Sequence, residues 1–301
     1  MYNFFLRYML FAHFSCLCYI VCMTKKRFGQ NFLVDEQVLD AITDACGVRD
    51  DDVVLEIGPG QGVLTTRLAA LARHVIAVEI DTDLRATLDR TLAGTDNVTI
   101  LYRDILKTDL DELRQTANEG RPFRVVANLP YYISTPVIMK LLQDEVPPVS
   151  CTVMVQKELA LRMAASPGNK DYGELSVVVQ YYAKPETVCE VPPAAFRPQP
   201  KVDSCVLHLV PFDTPPVRPK DRTFFFHVVK EAFAHRRKTL INSLSACGDP
   251  RLTKERIAGA LYRLPVTESA SPDSGRIGEN IRAERLTMEQ FAALSDLLCD
   301  A

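Results

Sequence analysis

The sequence predicts an α/β fold, in which a mostly parallel, doubly wound sheet precedes a smaller part made only of helices. From residue 53 to residue 156, short apolar runs alternate with segments of helical periodicity, as is typical of parallel sheets whose strands are joined by helices. Four prolines lie between Pro211 and Pro219, and only helical patterns follow them. Because proline clusters interrupt regular structure, we expect a sheet domain at residues 23–212 and a helical domain at residues 220–301.

Seven apolar runs of strand length carry the sheet prediction. The last two have no helical segment between them, so one of them should join the sheet antiparallel. Asp35 is a predicted N-cap of the first helix, and Thr287 with Gln290 forms a predicted capping box for the last. The predicted strands are Val53–Ile57, His74–Glu79, Val98–Tyr102, Phe123–Asn128, Cys151–Gln156, Leu175–Tyr182 and Cys205–Val210. The predicted carboxyl-terminal helices are Phe224–Ala234, Lys238–Ala246, Thr253–Tyr262 and Thr287–Leu298.

Charge is distributed unevenly along the 301 residues, whose formal net charge is −3. Residues 23–120 contain 11 Lys and Arg against 18 Asp and Glu, whereas residues 218–256 contain 10 against 4. A basic carboxyl-terminal part can contact a polyanion, or it can be the solvated face of helices, and charge alone leaves both open.

Nine cysteines are scattered without a C-x-x-C pair or a metal-ligand spacing. The six beyond the amino-terminal segment are isolated, as expected for reduced thiols in the cytoplasm. We therefore expect a cytoplasmic protein without a metal site.

Residues 1–22 form an apolar extension that does not belong to the predicted fold. From Tyr8 to Met23 the run is broken only by His13 and Ser15; it is short for a membrane span and lacks a small-residue cleavage site. We interpret Met23 as the start of the protein and expect no stable membrane association. A membrane anchor or an uncleaved signal is the alternative.

A glycine loop follows the first buried strand. Gly58, Gly60 and Gly62 precede a helix, and Glu79 ends the next strand 21 residues after Gly58. Strand, glycine turn, helix and acid form the general Rossmann-type nucleotide site, in which the acid accepts hydrogen bonds from ribose hydroxyls. Gly62 stands one residue too early for a dinucleotide site.

Acidic residues around this loop indicate a ligand without phosphates. Glu56 precedes the loop, where a carboxylate suits an ammonium group and disfavours a pyrophosphate. Asp104 follows the third strand and can accept a hydrogen bond from an adenine amine. S-adenosylmethionine meets these requirements. Either acid taken alone could simply cap a helix or form a surface salt bridge. That two acids, Glu79 and Asp104, follow successive strands favours a ligand site instead.

The apolar run Val125–Ala127 leads into Asn128, Leu129, Pro130 and Tyr131. Asn128 should lie at the carboxyl end of a strand, where open α/β sheets bind ligands, and Pro130 turns the chain there. The stretch could hold a flat base that carries an exocyclic amine. A capped strand end with core aromatics is the alternative.

With Glu56–Gly60 and Asn128–Tyr131 both present, the chain resembles the ribosomal RNA adenine N6-dimethyltransferase family over about residues 25–299. The resemblance is strongest to the small-subunit type, which dimethylates two adjacent adenosines near the 3′ end of 16S rRNA. The apolar extension is not a family feature, and residues 267–279 look longer and more polar than usual. Further motifs match in order at Lys26–Leu33, Gln156–Glu158, Tyr172–Ser176, Phe196–Ser204, Ala232–Leu240 and Arg282–Leu286.

The resemblance implies a class I S-adenosylmethionine-dependent methyltransferase domain, followed by a small helical domain that recognises rRNA within a pre-30S particle. We expect a monomer. The Asn128 side chain and the Leu129 carbonyl should accept the two N6 hydrogens of an adenine, with Tyr131 and Phe196 stacked on its faces. A core anchor in a proline-rich loop is the alternative for Phe196. Cofactor contacts are expected from Gln30, Asn31, Leu33, Glu56, Gly58, Gly60, Glu79, Asp104 and Asn128.

Basic residues should contact RNA mainly through its phosphates. The candidates are Lys25, Lys26, Arg27, Lys157, Arg162, Arg197, Lys201, Arg236, Arg237 and Lys238.

Three other functions fit parts of the sequence. A large-subunit rRNA methyltransferase of the macrolide-resistance type is disfavoured by Leu129 and by Gln156–Glu158. A ribosome-assembly factor with dispensable catalysis is disfavoured because Glu79, Asp104 and Asn128 are all present. A nicotinamide-dependent dehydrogenase is disfavoured by the glycine spacing.

Overall fold

The computed structural model describes residues 30–265 and 277–299. The strands are β1 (Phe32–Leu33), β2 (Val53–Ile57), β3 (His74–Glu79), β4 (Val98–Tyr102), β5 (Arg124–Asn128), β6 (Ser150–Gln156), β7 (Ala183–Val191), β8 (Phe196–Arg197) and β9 (Ser204–Pro211). The helices are α1 (Glu36–Cys46), α2 (Val63–Leu71), α3 (Arg85–Thr91), α4 (Leu110–Asn118), α5 (Ser134–Leu142), α6 (Lys157–Ala164), α7 (Glu174–Tyr182), α8 (Arg222–Phe233), α9 (Leu240–Leu244), α10 (Lys254–Arg263) and α11 (Met288–Cys299).

Seven strands form one sheet in the order β4-β3-β2-β5-β6-β9-β7. Strands β2 to β6 run parallel, and β9 lies antiparallel between β6 and β7. The strand order reverses between β2 and β5, so the carboxyl ends of these strands flank the crevice where such sheets bind ligands. The predicted mostly parallel, seven-stranded sheet with an antiparallel addition is confirmed.

The strand predicted at Leu175–Tyr182 is wrong. This segment is helix α7, and the strand β7 follows it. Its valines and tyrosines favour strands on propensity, but six of its nine residues are buried. A helix that is apolar nearly all round shows no amphipathic period in the sequence. The Ser176 hydroxyl accepts the Gly173 N–H at 3.0 Å and so supports the start of the helix.

The first and the last helix have the caps that the sequence predicts. The Asp35 carboxylate accepts the N–H groups of Gln37 and Val38. The Thr287 N–H donates to Gln290 Oε1 at 3.0 Å, and the Gln290 N–H donates to Thr287 Oγ1 at 3.3 Å, which confirms the capping box. The helix predicted from Lys238 begins later, at Leu240, because Thr239 is its N-cap.

Helices α8 to α11 pack around a core that also takes in the segment leading into α7. The Tyr172 ring meets Phe233 edge-on with centroids 5.8 Å apart, and its hydroxyl donates to the Leu286 carbonyl at 3.1 Å. The structure groups Asn31 and the residues after it into one unit, and the domain boundary at residues 213–219 stays a prediction. Buried members of this core include Tyr181, Phe225, Leu244, Ile257 and Phe291.

Some expectations concern residues that the structure does not describe. Residues 1–22, Lys25, Lys26, Arg27 and most of the polar segment 267–279 lie outside the described ranges. Of the helices within those ranges, none is both long and apolar enough to cross a membrane.

Candidate active site

The ends of β2, β3 and β5 place the predicted cofactor residues at one level of the sheet. Ile57 pairs with Val78 on one side and with Ala127 on the other. The residues that follow Ile57, Val78 and Ala127 in the chain, and so lie at the same level, are Gly58, Glu79 and Asn128. The Gly58 N–H also donates to the Val78 carbonyl at 2.9 Å, which ties the glycine loop to the end of β3.

The glycine loop has left-handed backbone at Gly58 and Gly60 and packs tightly at Gly60. Gly58 and Gly60 have φ angles of +72° and +60°, in the left-handed region that glycine adopts without strain. A Cβ on Gly60 would lie 3.1 Å from the Phe32 ring, and one on Gly58 would lie 3.8 Å from the Asn128 carbonyl oxygen. Bare backbone at this position suits a ligand that approaches the loop closely.

Glu79 is buried and held by the backbone. Its Oε2 accepts the Gly60 N–H at 3.2 Å, and its Oε1 accepts the Asp81 N–H at 2.8 Å. Burial raises the pKa of Glu79, and these hydrogen bonds to the carboxylate oppose the rise. Each carboxylate oxygen can accept a further hydrogen bond, so Glu79 can hold two hydroxyls of a ribose.

Glu56 is a fully buried acid, only 1% exposed. Its Oε2 has no hydrogen-bond partner among the described residues. Burial raises the pKa of Glu56 to about 8, and the nearby Glu79 carboxylate adds to the rise. A buried acid with an unsatisfied oxygen is the group that a cationic ligand would stabilise. The site therefore fits the ammonium-bearing S-adenosylmethionine.

Asp104 lies two residues beyond the end of β4. Its Oδ1 accepts the Leu106 N–H at 2.9 Å, and its Oδ2 lies 3.9 Å from the Lys107 ammonium. The side chain is 28% exposed, so the carboxylate is partly accessible to solvent. At the end of β4, the Tyr102 ring is covered by the guanidinium of Arg85 from α3, which lies 4.0 Å from the ring centre.

Among the described residues, one hydrogen bond orients the Asn128 side chain. Its Nδ2 donates to the Asn31 carbonyl at 3.2 Å, so Oδ1 is the atom that this amide presents to a donor. Leu129 is 1% exposed, and its N–H donates to the Met154 carbonyl at 3.1 Å. These bonds fix the chain where β5 ends.

Tyr131 follows in a short 3-10 turn, Tyr131–Ile133. Its hydroxyl lies 2.6 Å from the Ser204 hydroxyl oxygen. Burial raises the pKa of Tyr131, so the phenol stays protonated. Sequence reasoning did not assign a role to Ser204, although it closes a matching motif, because no local signal reports a contact with a residue 73 positions away.

The last two residues of the amino-terminal motif form β1, which pairs with β8. Leu33 is 7% exposed and pairs with Phe196 of β8. The Phe196 ring is 1% exposed and packs in a core cluster with Val191 and Val206. This placement matches the core-anchor alternative, and stacking of Phe196 on a base stays a prediction that requires the ring to leave its packing. Gln30 is half-buried and stays a predicted cofactor residue.

The predicted RNA-contacting residues divide into two groups. Lys157 pairs with Glu190 at 2.7 Å, Arg197 donates to the Ala194 and Phe196 carbonyls, and Arg236 donates to the Lys170 carbonyl at 2.5 Å. The second group is exposed and, within the described ranges, has no ion pair or side-chain hydrogen bond. It comprises Arg162, Lys201, Arg237 and Lys238.

Known proteins resemble this chain over most of its length. The family described as "Ribosomal RNA adenine dimethylase" matches residues 22–296. A relative from Lachnoclostridium phytofermentans, named "Ribosomal RNA small subunit methyltransferase A", is 47% identical over 275 residues, 91% of each chain. No group of three or more metal-ligating side chains occurs within the described residues.

Two solved structures share the fold. A dimethyladenosine transferase from Plasmodium falciparum has a TM-score of 0.66 at 26% identity, covering 87% of this chain and 95% of its own. The 23S rRNA methyltransferase ErmE has a TM-score of 0.67 at 27% identity, covering 89% of this chain and all of its own. Together with the family match, the arrangement of the glycine loop, Glu79 and Asn128 at one edge of the sheet leads to one conclusion. The chain belongs to the ribosomal RNA adenine dimethylase family.

Proposed function

We propose that the chain transfers methyl groups from S-adenosylmethionine to N6 of two adjacent adenosines near the 3′ end of small-subunit rRNA. The observation that carries this proposal is the hydrogen bond from Asn128 Nδ2 to the Asn31 carbonyl. Because the amide nitrogen donates there, the amide oxygen of Asn128 is the atom that would accept a hydrogen bond from a substrate amine. A neutral side chain there also avoids placing a full charge next to a cationic cofactor.

Each cofactor residue contacts a different part of the ligand. S-adenosylmethionine, when bound, supplies an electrophilic methyl group on a sulfonium. Glu79 accepts hydrogen bonds from the ribose hydroxyls, and Asp104 accepts one from the adenine amine through Oδ2. Glu56 becomes ionised beside the ammonium group, since an adjacent cation stabilises a buried carboxylate.

Asn128 and Leu129 prepare the nucleophile. The N6 lone pair of adenine is delocalised into the ring, so the amine is a poor nucleophile. When Asn128 Oδ1 and the Leu129 carbonyl accept its two hydrogens, the nitrogen can become pyramidal and direct its lone pair at the methyl group. The two acceptors also stabilise positive charge as it develops on nitrogen, and alignment lowers the barrier further.

Tyr131 supplies a stacking surface for the target base. Its side chain is half-buried, so one ring face can meet an adenine that has left its own stack. Such stacking is worth about 1–3 kcal/mol per base. Transfer of two methyl groups to each adenine requires two turnovers at this one site.

The small-subunit substrate is favoured by sequence identity. The small-subunit methyltransferase A relative is 47% identical to this chain, whereas ErmE is 27% identical. The TM-scores of the two solved structures, 0.66 and 0.67, do not separate the alternatives. We place the rRNA within a pre-30S particle and the phosphate contacts chiefly at Arg162, Lys201, Arg237 and Lys238.

Methyl transfer from labelled S-adenosylmethionine to isolated, under-methylated 30S and 50S subunits tests this function. We expect label on 30S subunits alone, recovered as N6,N6-dimethyladenosine. Label on 50S subunits alone would identify a macrolide-resistance type of enzyme. Label on neither would identify an assembly factor that does not depend on catalysis.

A further inference from the structure

The Tyr131 side chain is held at both of its ends. The hydroxyl is 2.6 Å from Ser204 Oγ. At the backbone, the Ile133 N–H and the Ser134 hydroxyl both donate to the Pro130 carbonyl at 3.1 Å, which fixes the turn that carries Tyr131. The ring cannot swing away from the end of β5 without breaking its bond to Ser204.

Ser204 is a rigid anchor for this ring. It is the first residue of β9, where it pairs with Gln156 of β6 and Val191 of β7. Its side chain is completely buried. A hydroxyl that projects from a strand flanked on both sides cannot follow a moving ring, so the bond restrains Tyr131 rather than Ser204.

The Tyr131 side chain connects the turn after β5 with the start of β9. Asn128 pairs with Met154 of β6, and Ser204 lies beside Gln156, the last residue of β6. Tyr131 starts from the loop after Asn128 and reaches Ser204. Its side chain therefore extends from the turn after β5 to the first residue of β9, which lies beside the last residue of β6.

The two methylation rounds place different demands on this ring. In each round the N6 lone pair forms the N–C bond, the sulfonium S–C bond breaks with its electrons going to sulfur, and the cationic nitrogen then loses a proton to solvent. In the first round, N6 offers two hydrogens to Asn128 Oδ1 and the Leu129 carbonyl. In the second, N6 has one hydrogen and a methyl group, so one acceptor has no donor to align.

We propose that Ser204 is a positioning residue that holds the Tyr131 ring in place and thereby allows the second methylation to go to completion. The proposal rests on the function proposed above, because it takes adenine N6 as the acceptor. With one hydrogen bond fewer to orient the monomethylated amine, its alignment depends more on the stacking surface. A loosened Tyr131 ring therefore slows the second transfer more than the first.

Two variants break the same bond from opposite sides. Ser204→Ala and Tyr131→Phe each remove one hydroxyl and leave the aromatic ring present. We expect each to slow the second transfer by roughly two- to tenfold more than it slows the first, the loss that one hydrogen bond accounts for. The readout is the ratio of monomethylated to dimethylated adenosine in digested rRNA over time, measured by mass spectrometry. The double variant should be no slower than either single variant, since both remove one bond.

Ser295→Ala is the matched control, because Ser295 is 1% exposed and donates only within α11, to the Ala292 carbonyl. It should lower the melting temperature without changing the product ratio. Equal slowing of both rounds in Tyr131→Phe, or a wild-type ratio in both variants, would overturn the role of Ser204 while leaving the proposed function intact. Absence of any N6 product from the wild-type protein would overturn both. If Ser204→Ala fails to fold, Tyr131→Phe still decides the matter.

Discussion

The Asn128 side chain and the Asn31 backbone meet in a 3.2 Å hydrogen bond across 97 positions of the chain. An amide has a donor end and an acceptor end of nearly equal shape, so this bond decides which end faces the crevice. The Asn31 carbonyl, in the segment that leads into β1, thus sets the chemistry of a residue at the end of β5.

The first prediction concerns Asn128→Ala, which removes this acceptor. Methyl transfer should be lost, since a single preorganised group of this kind can account for a factor of about 10² to 10³ in rate. Cofactor affinity should fall only modestly, because Glu79 and the glycine loop remain. Titration calorimetry and methyl incorporation measure the two quantities. Retained activity would remove Asn128 from the mechanism.

Asn97→Ala is the control for that experiment. The Asn97 side chain donates to the Ala69 and Ala72 carbonyls at 2.8 and 3.0 Å, so its loss should lower stability. Because Asn97 lies before β4, away from the carboxyl ends of the strands, methyl transfer by the folded protein should be unaffected.

The second prediction concerns Glu56 and pH. Its pKa is about 8 in the folded protein against an ordinary value of 4.5, so between these values the folded state holds a proton that the unfolded state has lost. The free energy of unfolding should therefore decline as pH rises from about 4.5 to about 8, as far as Glu56 determines it. Glu56→Gln stays neutral and should lack this part of the decline.

Denaturant unfolding at several pH values, compared between the wild-type protein and Glu56→Gln, isolates that contribution. The exposed Glu112 provides the matching Glu112→Gln control, whose stability should run parallel to the wild type. Parallel curves for Glu56→Gln as well would show that Glu56 ionises normally in the folded protein.

Much of the fold is readable from the sequence because its strands are short, buried and separated by strong turn signals. The run Val53–Ile57 with the glycines after it identifies a strand and a loop without reference to the rest of the chain. Helix α7 is not predictable in this way. Because it is buried on most sides, it lacks the polar face that gives a helix its periodic pattern in the sequence. Tertiary packing, which the local sequence does not encode, decides its conformation.

Some residues of the candidate site can also be predicted from the sequence, and others cannot. Glu79 and Asn128 follow directly from their places at strand ends, since register brings parallel strand ends together. The sequence predicts that Phe196 stacks on the target base or anchors the core, and its pairing with Leu33 buries the ring as the core-anchor alternative expects. The partners of Asn128 and Tyr131 could not be foreseen, because each contact joins segments far apart in the chain.

The third prediction compares two glycines of the same backbone conformation. Gly60 and Gly94 have φ angles of +60° and +84°, so alanine at either position costs roughly 1–2 kcal/mol of backbone strain. A Cβ at Gly60 meets the Phe32 ring at 3.1 Å, whereas a Cβ at Gly94 meets nothing within 4 Å. Gly60→Ala should therefore also displace the loop that contacts Glu79.

Cofactor affinity should separate these two variants. By titration calorimetry we expect Gly60→Ala to weaken S-adenosylmethionine binding by about tenfold or more, the equivalent of disturbing one or two hydrogen bonds. Gly94→Ala should bind as the wild type does. Equal affinities for both variants would show that the loop does not approach the ligand.

The fourth prediction concerns the exposed cations before α9. Arg237→Glu should weaken binding to 30S subunits and reduce the slope of log affinity against log salt by about 0.7–0.9 for each phosphate contact removed. Arg121→Glu is the control, because Arg121 is also exposed but is paired with Glu119 at 3.3 Å. It should leave the slope unchanged.

Arg236 is a poorer probe of RNA contact than Arg237, although the two are adjacent. Its guanidinium donates to the Lys170 carbonyl at 2.5 Å, in the loop that leads to the buried Tyr172. Arg236→Glu would therefore disturb that loop as well as reverse the charge. Any loss of 30S affinity beyond that of Arg237→Glu would come from the loop. If Arg237→Glu leaves the salt slope at its wild-type value, these cations are a solvated surface, and the phosphate contacts lie elsewhere on the protein.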